Sequence, residues 1–449
     1  MKRLVLLLIL GAPVATYGLT EQDVADKVLQ VYVPLQQLSL EERIIQFQVQ
    51  AAKAPFQWQW VLDSGTQVSA YGQEQWESKS FAGPKVTSKT RYGTQVDISA
   101  KAHAGEPNLV DTKVSVEQPL LKGRSPQINQ SDLIEAHEAQ RRFELQYLEQ
   151  QSKAILDGLS QWSQWQLAVN RLAHAEQSLD QAQRLYESVK QRIQAGRLGQ
   201  TEYAQANLSL QQAQIEYEKA FTNASHIKQE LMLMLDIEDE DEVSIEENVS
   251  LLPELNPVQW YQNKALTHAR VFLEQPLDMS RADRKLMSAK DGTRPDLKLQ
   301  VSAKKKVRSE LKAEPGEFTT GVQFTMPITG SASNRLAVAK ATVAKQQLRT
   351  QQAYDNKKFE LNMLHTFEEA QSRLKQITLT EQAQRNAEKS FEDALLLFEA
   401  GRVGLSEVIQ LKERADEAQL KMLEAKLAYL MQVYQLEHDS GIFLERWHV

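Results

Sequence analysis

The chain lacks cysteine altogether in its 449 residues. Disulfides, thiolate metal sites, a thiol nucleophile and a lipid anchor on cysteine are therefore excluded. Aromatic residues make up only 7% of the chain, and the net charge of -7 includes no basic tract that would mark a nucleic-acid-binding surface. The eight histidines are scattered, without the spacing of a metal site. We therefore expect no enzyme, no cofactor and no nucleic-acid partner.

Long apolar runs are also missing, apart from one at the N-terminus. Lys2 and Arg3 precede an unbroken apolar stretch at 4–10, and small residues follow up to Gly18. This pattern predicts a secretory signal peptide over residues 1–18. No later stretch reaches the roughly 18 apolar residues that a membrane-spanning helix needs. The mature protein is expected to be exported and to have no transmembrane helix.

The residues that are abundant, Gln, Ala, Leu, Glu and Lys, are typical of long helices. Ser125 and Pro126 mark the beginning of a helical pattern that runs to Gln194, about 100 Å of helix at 1.5 Å per residue. Its distal part carries an apolar heptad seam, with spacings that alternate between four and three residues. The seam consists of Ala168, Leu172, Ala175, Leu179, Ala182, Tyr186, Val189 and Ile193. Similar seams after residues 200 and 405 predict returning helices and therefore antiparallel coiled-coil hairpins.

The sequence consists of two similar halves. The phrase Ala-Gly-Arg-(Leu/Val)-Gly occurs at 195–199 and again at 400–404, each time between two long helical patterns. Such an offset of roughly 205 residues indicates a duplication of the whole chain rather than a short solenoid period. The predicted first half, 19–250, has N-terminal helices, strands at about 55–119, a long helix at about 126–195 and a return helix at about 200–235. The second half, 251–449, has helices at about 257–290, strands at about 295–327, a long helix at about 331–400 and a return helix at about 405–440.

Segments before each long helix alternate strictly between apolar and polar residues. The apolar members are Phe56, Trp58, Trp60 and Leu62; Val114 and Val116; Leu297, Leu299 and Val301; and Val322, Phe324 and Met326. This two-residue period is typical of strands with a lipid-facing side and a wet side, although a small soluble β-subdomain has the same pattern. The signal peptide favours a membrane barrel over the soluble subdomain. The predicted strands of one chain are too few to close a barrel, so closure would require several copies of the chain. The segment 63–111 is interpreted as an extra strand and an external loop, with its path left open.

A proline precedes each long helix. Pro119 and Pro327 lack the N–H that would extend a strand ladder, and each is followed by a glycine, Gly123 or Gly330. Their equivalent positions in the two halves predict a strand-to-helix junction in each.

The order of these motifs resembles the TolC-like outer-membrane efflux protein family, the outer-membrane factors of tripartite efflux or type I secretion systems. Gln118-Pro119-Leu120-Leu121-x-Gly123 is similar to that family's strand-to-helix junction, and the segments 195–202 and 400–407 are similar to its two periplasmic helix tips. The resemblance covers essentially the whole mature chain. It implies a mainly α fold with a β-barrel part, in which duplicated coiled-coil hairpins form a periplasmic tunnel. Each protomer would add about four transmembrane strands to one shared trimeric barrel.

The resemblance also implies a place and partners. The protein would be a homotrimer in contact with outer-membrane lipid, with its helices in the periplasm, and it would be a passive conduit for export. Its partners would be a periplasmic adaptor, or membrane fusion protein, and an inner-membrane transporter. The implied adaptor-contact residues at the tips are Gly196, Arg197, Gly199, Thr201, Gly401, Arg402, Gly404 and Ser406. The family's acidic gate positions match Glu407, which is acidic here, and Gln410, which is not; Glu202 is a further gate candidate.

Two other functions have some of the same features. A periplasmic adaptor also has a long helical hairpin, but it has one hairpin between compact β-domains. A surface coiled-coil structural protein would not need amphipathic strands before each long helix. The tip arginines Arg197 and Arg402 also have two interpretations: they cap helix C-termini, or they lock a closed tip or bind an adaptor. The cargo is not revealed by the sequence.

Overall fold

The computed structural model describes residues 19–71, 75–104, 109–195, 199–238, 252–308, 315–326 and 331–447. The signal peptide predicted for residues 1–18 lies outside these ranges. Four of the predicted site residues, Gly196, Arg197, Pro327 and Gly330, also lie outside them. Their roles stay predictions.

Helices make up most of the described chain. They are α1 (Glu21–Val31), α2 (Val33–Lys53), α3 (Pro126–Asn129), α4 (Ser131–Gln194), α5 (Gln200–Leu235), α6 (Val258–His268), α7 (Arg270–Asp291), α8 (Ser331–Glu399), α9 (Leu405–Asp439) and α10 (Phe443–Arg446). The helical pattern predicted from Pro126 onwards is interrupted at Gln130. There the side-chain amide of Asn129 donates to the carbonyl oxygens of Gly123 and Ser125, which fixes α3 as a separate turn. No helix among the described residues is both long and apolar enough to cross a membrane.

The chain divides into two compact units, and each unit includes residues from both halves of the sequence. The first unit lies within residues 1–37, 147–270 and 358–449, and the second within 38–146 and 271–357. The long helices α4 and α8 contribute to both units.

The first unit is helical, and its core follows the heptad seam. Ala168, Ala182 and Val189 of α4 are buried, as are Ala206 and Ala224 of α5. Small side chains at these positions allow the helix axes to approach closely. These buried positions are members of the seams that the heptad periodicity indicated in α4 and α5.

The second unit contains a six-stranded sheet. Its strands are β1 (Gln59–Tyr71), β2 (Gln75–Lys89), β3 (Gln95–Ala104), β4 (Leu109–Pro119), β5 (Asp296–Arg308) and β6 (Glu317–Thr325). They lie in sequence order, each antiparallel to the next, so β4 and β5 join the two halves of the chain side by side. The resemblance implied about four strands. The two additional ones, β2 and β3, come from the segment 63–111, for which the sequence predicted one extra strand and an external loop.

The strand register gives the sheet two different faces. One row across the sheet consists of Trp60, Val86, Ile98, Val114, Ala303 and Phe318. The parallel row one step further, on the opposite face, contains Val61, Lys85, Ser99, Lys113, Lys304 and Glu317. Successive side chains of a strand point to opposite faces, so the predicted alternation becomes one apolar and one polar face.

Candidate functional site: the two-faced sheet and the helix tips

The apolar face of the sheet is open to its surroundings. Trp60 and Leu62 on β1 are 76% and 75% exposed, and Phe318 on β6 is 70% exposed. Soluble monomers rarely leave a contiguous apolar patch of this kind uncovered. The face is therefore suited to contact lipid.

The polar face is held together by charged side chains that reach across strands. The Lys101 ammonium on β3 lies 2.6 Å from the Asp63 carboxylate on β1, on the far side of β2. Gly83 is the β2 residue in the same row, so no side chain stands between them. The same ammonium lies 4.0 Å from the centre of the Phe81 ring. Lys101 on β3 therefore contacts a side chain on β1 and another on β2.

Similar contacts continue across the rest of this face. They are Lys85 with Asp97 at 3.6 Å, His103 with Asp111 at 3.2 Å, Lys298 with Glu117 at 2.9 Å, and the Gln300 amide donating to Gln323 at 3.4 Å. The polar face therefore links all six strands through hydrophilic groups. Such a surface is typical of the wet side of a membrane β-sheet.

The end of β4 leads into α3 through a short segment that contains two of the predicted junction residues, Pro119 and Gly123. Pro119 is buried and ends the strand, and the Leu120 amide makes a last bond of 2.7 Å to the Leu297 carbonyl. Gly123 has a φ of +79°, a conformation that side chains disfavour, and its amide donates to the Asp291 carboxylate at 2.8 Å. The sequence reasoning missed Asp291, whose only signal is its position at the end of α7.

An ion-pair cluster joins α7 to α4 near this junction. The Arg284 guanidinium binds both carboxylate oxygens of Glu138, at 2.6 and 2.5 Å, and both side chains are almost buried. Arg142 pairs with Asp278 at 2.6 Å, and Arg281 with Glu135 at 2.5 Å. These pairs were also missed, because nothing local in the sequence indicates which distant charges meet.

The pKa of Glu138 reflects this environment. Burial by itself raises the pKa of this carboxyl group, but hydrogen bonds from Arg284 and Ser280 outweigh that effect and leave the pKa below its ordinary value. The hydrogen bonds that Arg284 donates to Glu138 likewise raise the pKa of the Arg284 guanidinium. Both groups therefore remain charged at neutral pH.

The second helix tip is a tight turn that begins with a Schellman motif. α8 ends before Gly401, which has a φ of +70°. The Gly401 amide donates to the Phe398 carbonyl and the Arg402 amide to the Leu397 carbonyl, both at 2.9 Å. Gly404 then forms the N-cap of α9 with an ordinary negative φ, as Gly199 does for α5. Of these three glycines, Gly401 alone is left-handed, so the expected conformational freedom is needed at one of them.

The predicted contact and gate residues at the tips are mostly exposed polar groups. Thr201, Arg402, Ser406, Glu407 and Gln410 are exposed, and Glu202 is partly buried. Among the described residues, no hydrogen bond or ion pair involves the side chain of Arg402, Glu407 or Gln410. Glu202 and Glu407 lie in the first turns of α5 and α9, where a helix dipole stabilises an acid. The exposed members of this set are therefore accessible to solvent in the single chain.

Apolar and aromatic contacts hold the two tips together. Val189 and Ala206 are buried and pack with Leu185, Tyr186, Ile193, Phe398 and Ile409. The Tyr186 and Tyr203 hydroxyl groups are 2.7 Å apart and form a hydrogen bond between α4 and α5. The Arg192 guanidinium lies 5.3 Å from the centre of the Phe398 ring, which connects the two hairpins. The heptad seams included Val189, Ala206, Tyr186 and Ile193. They did not include the other members of this contact, which are Leu185, Tyr203, Phe398 and Ile409.

Across the residues that the structure describes, no group of three or more His, Asp or Glu side chains converges on a possible metal position.

Solved structures with the same fold exist, although sequence comparison finds none. No protein-family model matches the chain, and no curated protein matches its sequence. CusC, described for transmembrane channel formation, superposes with a TM-score of 0.72 at 14% identity, over 94% of this chain and 92% of that one. The Campylobacter jejuni CmeC outer membrane channel gives 0.71 at 12%, over 94% and 86%. The outer membrane protein VceC of Vibrio cholerae gives 0.70 at 13%, over 94% and 96%.

The long helical hairpins, the antiparallel two-faced sheet and these superpositions define a class of fold, that of the outer-membrane channels. More particularly, the chain has the TolC-like channel fold, so the fold implied by the sequence resemblance is confirmed. At 9–14% identity, the likeness extends to the fold alone.

Proposed function

We propose that the protein is an outer-membrane exit channel, a passive conduit for export across the periplasm and the outer membrane. It would serve a tripartite efflux pump or a type I secretion system. The observation that carries the proposal is the two-faced sheet: an exposed apolar face backed by a polar face that is bonded across all its strands. Such a wall is useful where lipid lies on one side and water on the other.

A closed wall requires more than one copy. Within the described part of the chain, β1 and β6 each have one unpaired edge, because the sheet order runs from β1 to β6 without closing. Unpaired backbone groups are too costly to leave exposed to lipid, so an open edge is tolerated only when another strand covers it. A homotrimer in which each copy pairs with the next removes all the edges. The exposed apolar side chains of α8, such as Leu336, Leu379 and Leu396, are consistent with further contacts between copies.

The proposed arrangement of the chain is a duplication, with halves at about 19–250 and 251–449. It is supported by the recurrence in each half of a strand hairpin, a long helix and a return helix, in the same order. The tips at 195–202 and 400–407 would face a periplasmic adaptor, and an inner-membrane transporter would supply the energy. Glu407 would narrow the closed entrance, and opening would shift α5 and α9 at the tips.

The test is whether the protein assembles and conducts. Expressed with its signal peptide in a Gram-negative host, the protein should fractionate with the outer membrane and require detergent for extraction. On gels it should migrate as a trimer that becomes a monomer on heating, and in planar bilayers it should give discrete conductance steps. A water-soluble monomer without conductance would overturn the proposal and favour an adaptor or a structural protein.

A further inference from the structure

We infer that the hairpin β1–β2 belongs to the membrane wall, and that β1 pairs with β6 of the next copy. Three copies of six strands then close a barrel of about 18 strands, instead of about 12 from four strands each. The inference rests on the proposed channel function and specifies which surface of one copy meets a second copy.

The first hairpin is built like the strands that follow it. β1 has 13 residues and β2 has 15, more than the 9–11 that cross a bilayer at the usual tilt. Its register continues the two faces: Trp60 and Leu62 lie opposite Val86 and Pro84 on the apolar face. In an external loop, nothing would require the apolar and polar residues to alternate in register with those of β3–β6.

The hairpin is also fastened to β3. β2 and β3 pair from Ser80 to Ala82 and from Lys85 to Lys89, in the same register on both sides of a short gap. Gly83 and Pro84 cause the gap, because proline has no N–H to donate. An added Cβ on Gly83 would collide with the carbonyl oxygen of Ala100, which shows how closely the two backbones approach.

The link from Lys101 to Asp63 passes over this same glycine. It connects β3 directly to β1, so the hairpin is held by side chains as well as by the strand ladder. A hinge at the gap would have to break this ion pair and the contact between Lys101 and Phe81.

The unpaired edges of the sheet indicate which strands meet a second copy of the chain. β3 pairs with β2 on one side and with β4 on the other, so it has no edge left for a second copy. In the residues that the structure describes, the unpaired edges belong to β1 and β6, whose apolar side chains are among the most exposed, with Leu62 at 75% and Val322 at 65%. With an even number of antiparallel strands, β6 of one copy runs antiparallel to β1 of the next, which continues the pattern of the sheet.

The consequence is a wider opening in the membrane. Barrel diameter grows roughly in proportion to strand number, so about 18 strands give an opening about half as wide again as about 12 strands.

The absence of cysteine makes a cross-linking test direct. Thr320→Cys on β6 would be combined in turn with Leu62→Cys, Ser64→Cys, Thr66→Cys or Val68→Cys, which share the apolar face of β1. A disulfide needs Cα atoms about 4.4–6.8 Å apart, so only a paired edge can form one. We expect at least one of these pairs to give covalent dimers and trimers after oxidation. The matched control is Ala102→Cys with Thr320→Cys, since Ala102 lies level with Ser64 but two strands further in; it should stay monomeric under denaturing conditions.

The outcomes separate the two proposals. Cross-linking from Ala102, or a conducting trimer in which no β1 position cross-links to Thr320, would overturn the inference and leave the channel function standing. Absence of any trimer or conductance in the cysteine-free protein would overturn the channel function itself. A cryo-electron microscopy map of the trimer would count the strands independently.

Discussion

The strand junction and the helix tips are held together by different chemistry. Around the junction, α7 is fixed to α4 by a nearly buried bidentate ion pair and by two further pairs. At the tips, the helices are held together by a small apolar cluster, by a hydrogen bond between the Tyr186 and Tyr203 hydroxyls and by the cation–π contact between Arg192 and Phe398. Charged pairs out of water fix a geometry strictly, because a partial separation leaves a charge unpaired. A small apolar contact with exposed polar groups around it can shift at a much lower cost in free energy, as the proposed opening of the entrance would require.

The largest effect is expected where the junction pair is broken. Glu138→Gln leaves the nearly buried Arg284 without its anion and should destabilise the fold by about 3 kcal/mol. Thermal unfolding of the detergent-solubilised protein, followed by circular dichroism, should shift down by several degrees. The matched control is Glu135→Gln, because Glu135 and Arg281 are about half exposed and such pairs contribute about 1 kcal/mol or less. Equal shifts in the two variants would contradict the proposed role of burial.

The same pair predicts a pH dependence. The pKa of Glu138 is lower in the folded state than in the unfolded state, so its stabilisation is fully present above the ordinary value. It is lost as the pH falls through the lowered folded-state pKa. The difference between the native protein and Glu138→Gln should therefore shrink in melts recorded well below the ordinary glutamate pKa of about 4.3. A constant difference at all pH values would argue against the ion pair.

A second substitution tests the two faces of the sheet. Val114→Arg places a cation on the apolar face near the middle of β4 and should cost about 2–4 kcal/mol if that face contacts lipid. Ser115→Arg, the adjacent control on the polar face, lies opposite Asp97 and should be tolerated. Yield of the heat-modifiable trimer is the measurement. Similar yields from both variants would contradict lipid contact.

The tips should respond less. Tyr203→Phe removes the hydrogen bond to Tyr186, at a cost of about 1 kcal/mol, and should loosen the beginning of α5. Faster hydrogen exchange of the first turns of α5 would show it. Tyr217→Phe on the same helix is the control, because among the described residues the Tyr217 hydroxyl has no hydrogen-bond partner. If both variants exchange alike, the hydroxyl pair does not hold the tip.

The smallest change in stability, with a change in conductance, is expected at Arg402. Its side chain makes no contact with a charged group among the described residues, so Arg402→Ala should leave the melting temperature unchanged. If Arg402 locks the closed entrance in the assembled trimer, the variant channel should leak more in planar bilayers. Arg184→Ala, which removes an exposed pair with Asp180, is the control. Unchanged conductance of Arg402→Ala would exclude the locking role and leave helix capping and adaptor binding.

The sequence predicted those parts of the fold that depend on local periodicity. The heptad seam identified residues that are buried, such as Val189 and Ala206, and the two-residue alternation identified the apolar face at Trp60 and Val114. The path of β2 was not predictable in the same way, because Gly83-Pro84 is a turn signal by itself and only the pairing with β1 and β3 makes it part of a strand.

The candidate site residues also divide into those with a local signal in the sequence and those that depend on long-range contacts. Pro119 and Gly123 were found because their backbone requirements show in the sequence. Glu138 and Arg284 were not, because 146 residues separate them and each is an ordinary surface residue in the pattern of its own helix. Long-range pairs of charges depend on the fold, so they become visible only after the helices are placed.

The position of the first hairpin has a consequence for how such proteins vary. β1 and β2 are contiguous in the chain and lie at one end of the sheet, so every pairing among β3, β4, β5 and β6 is independent of them. In the proposed barrel, insertion or loss of the stretch of coding sequence for this hairpin would change the circumference by two strands per copy. The diameter of the barrel would then vary independently of the helices, and descendants of one ancestral gene would differ in pore diameter while they keep the same helical framework.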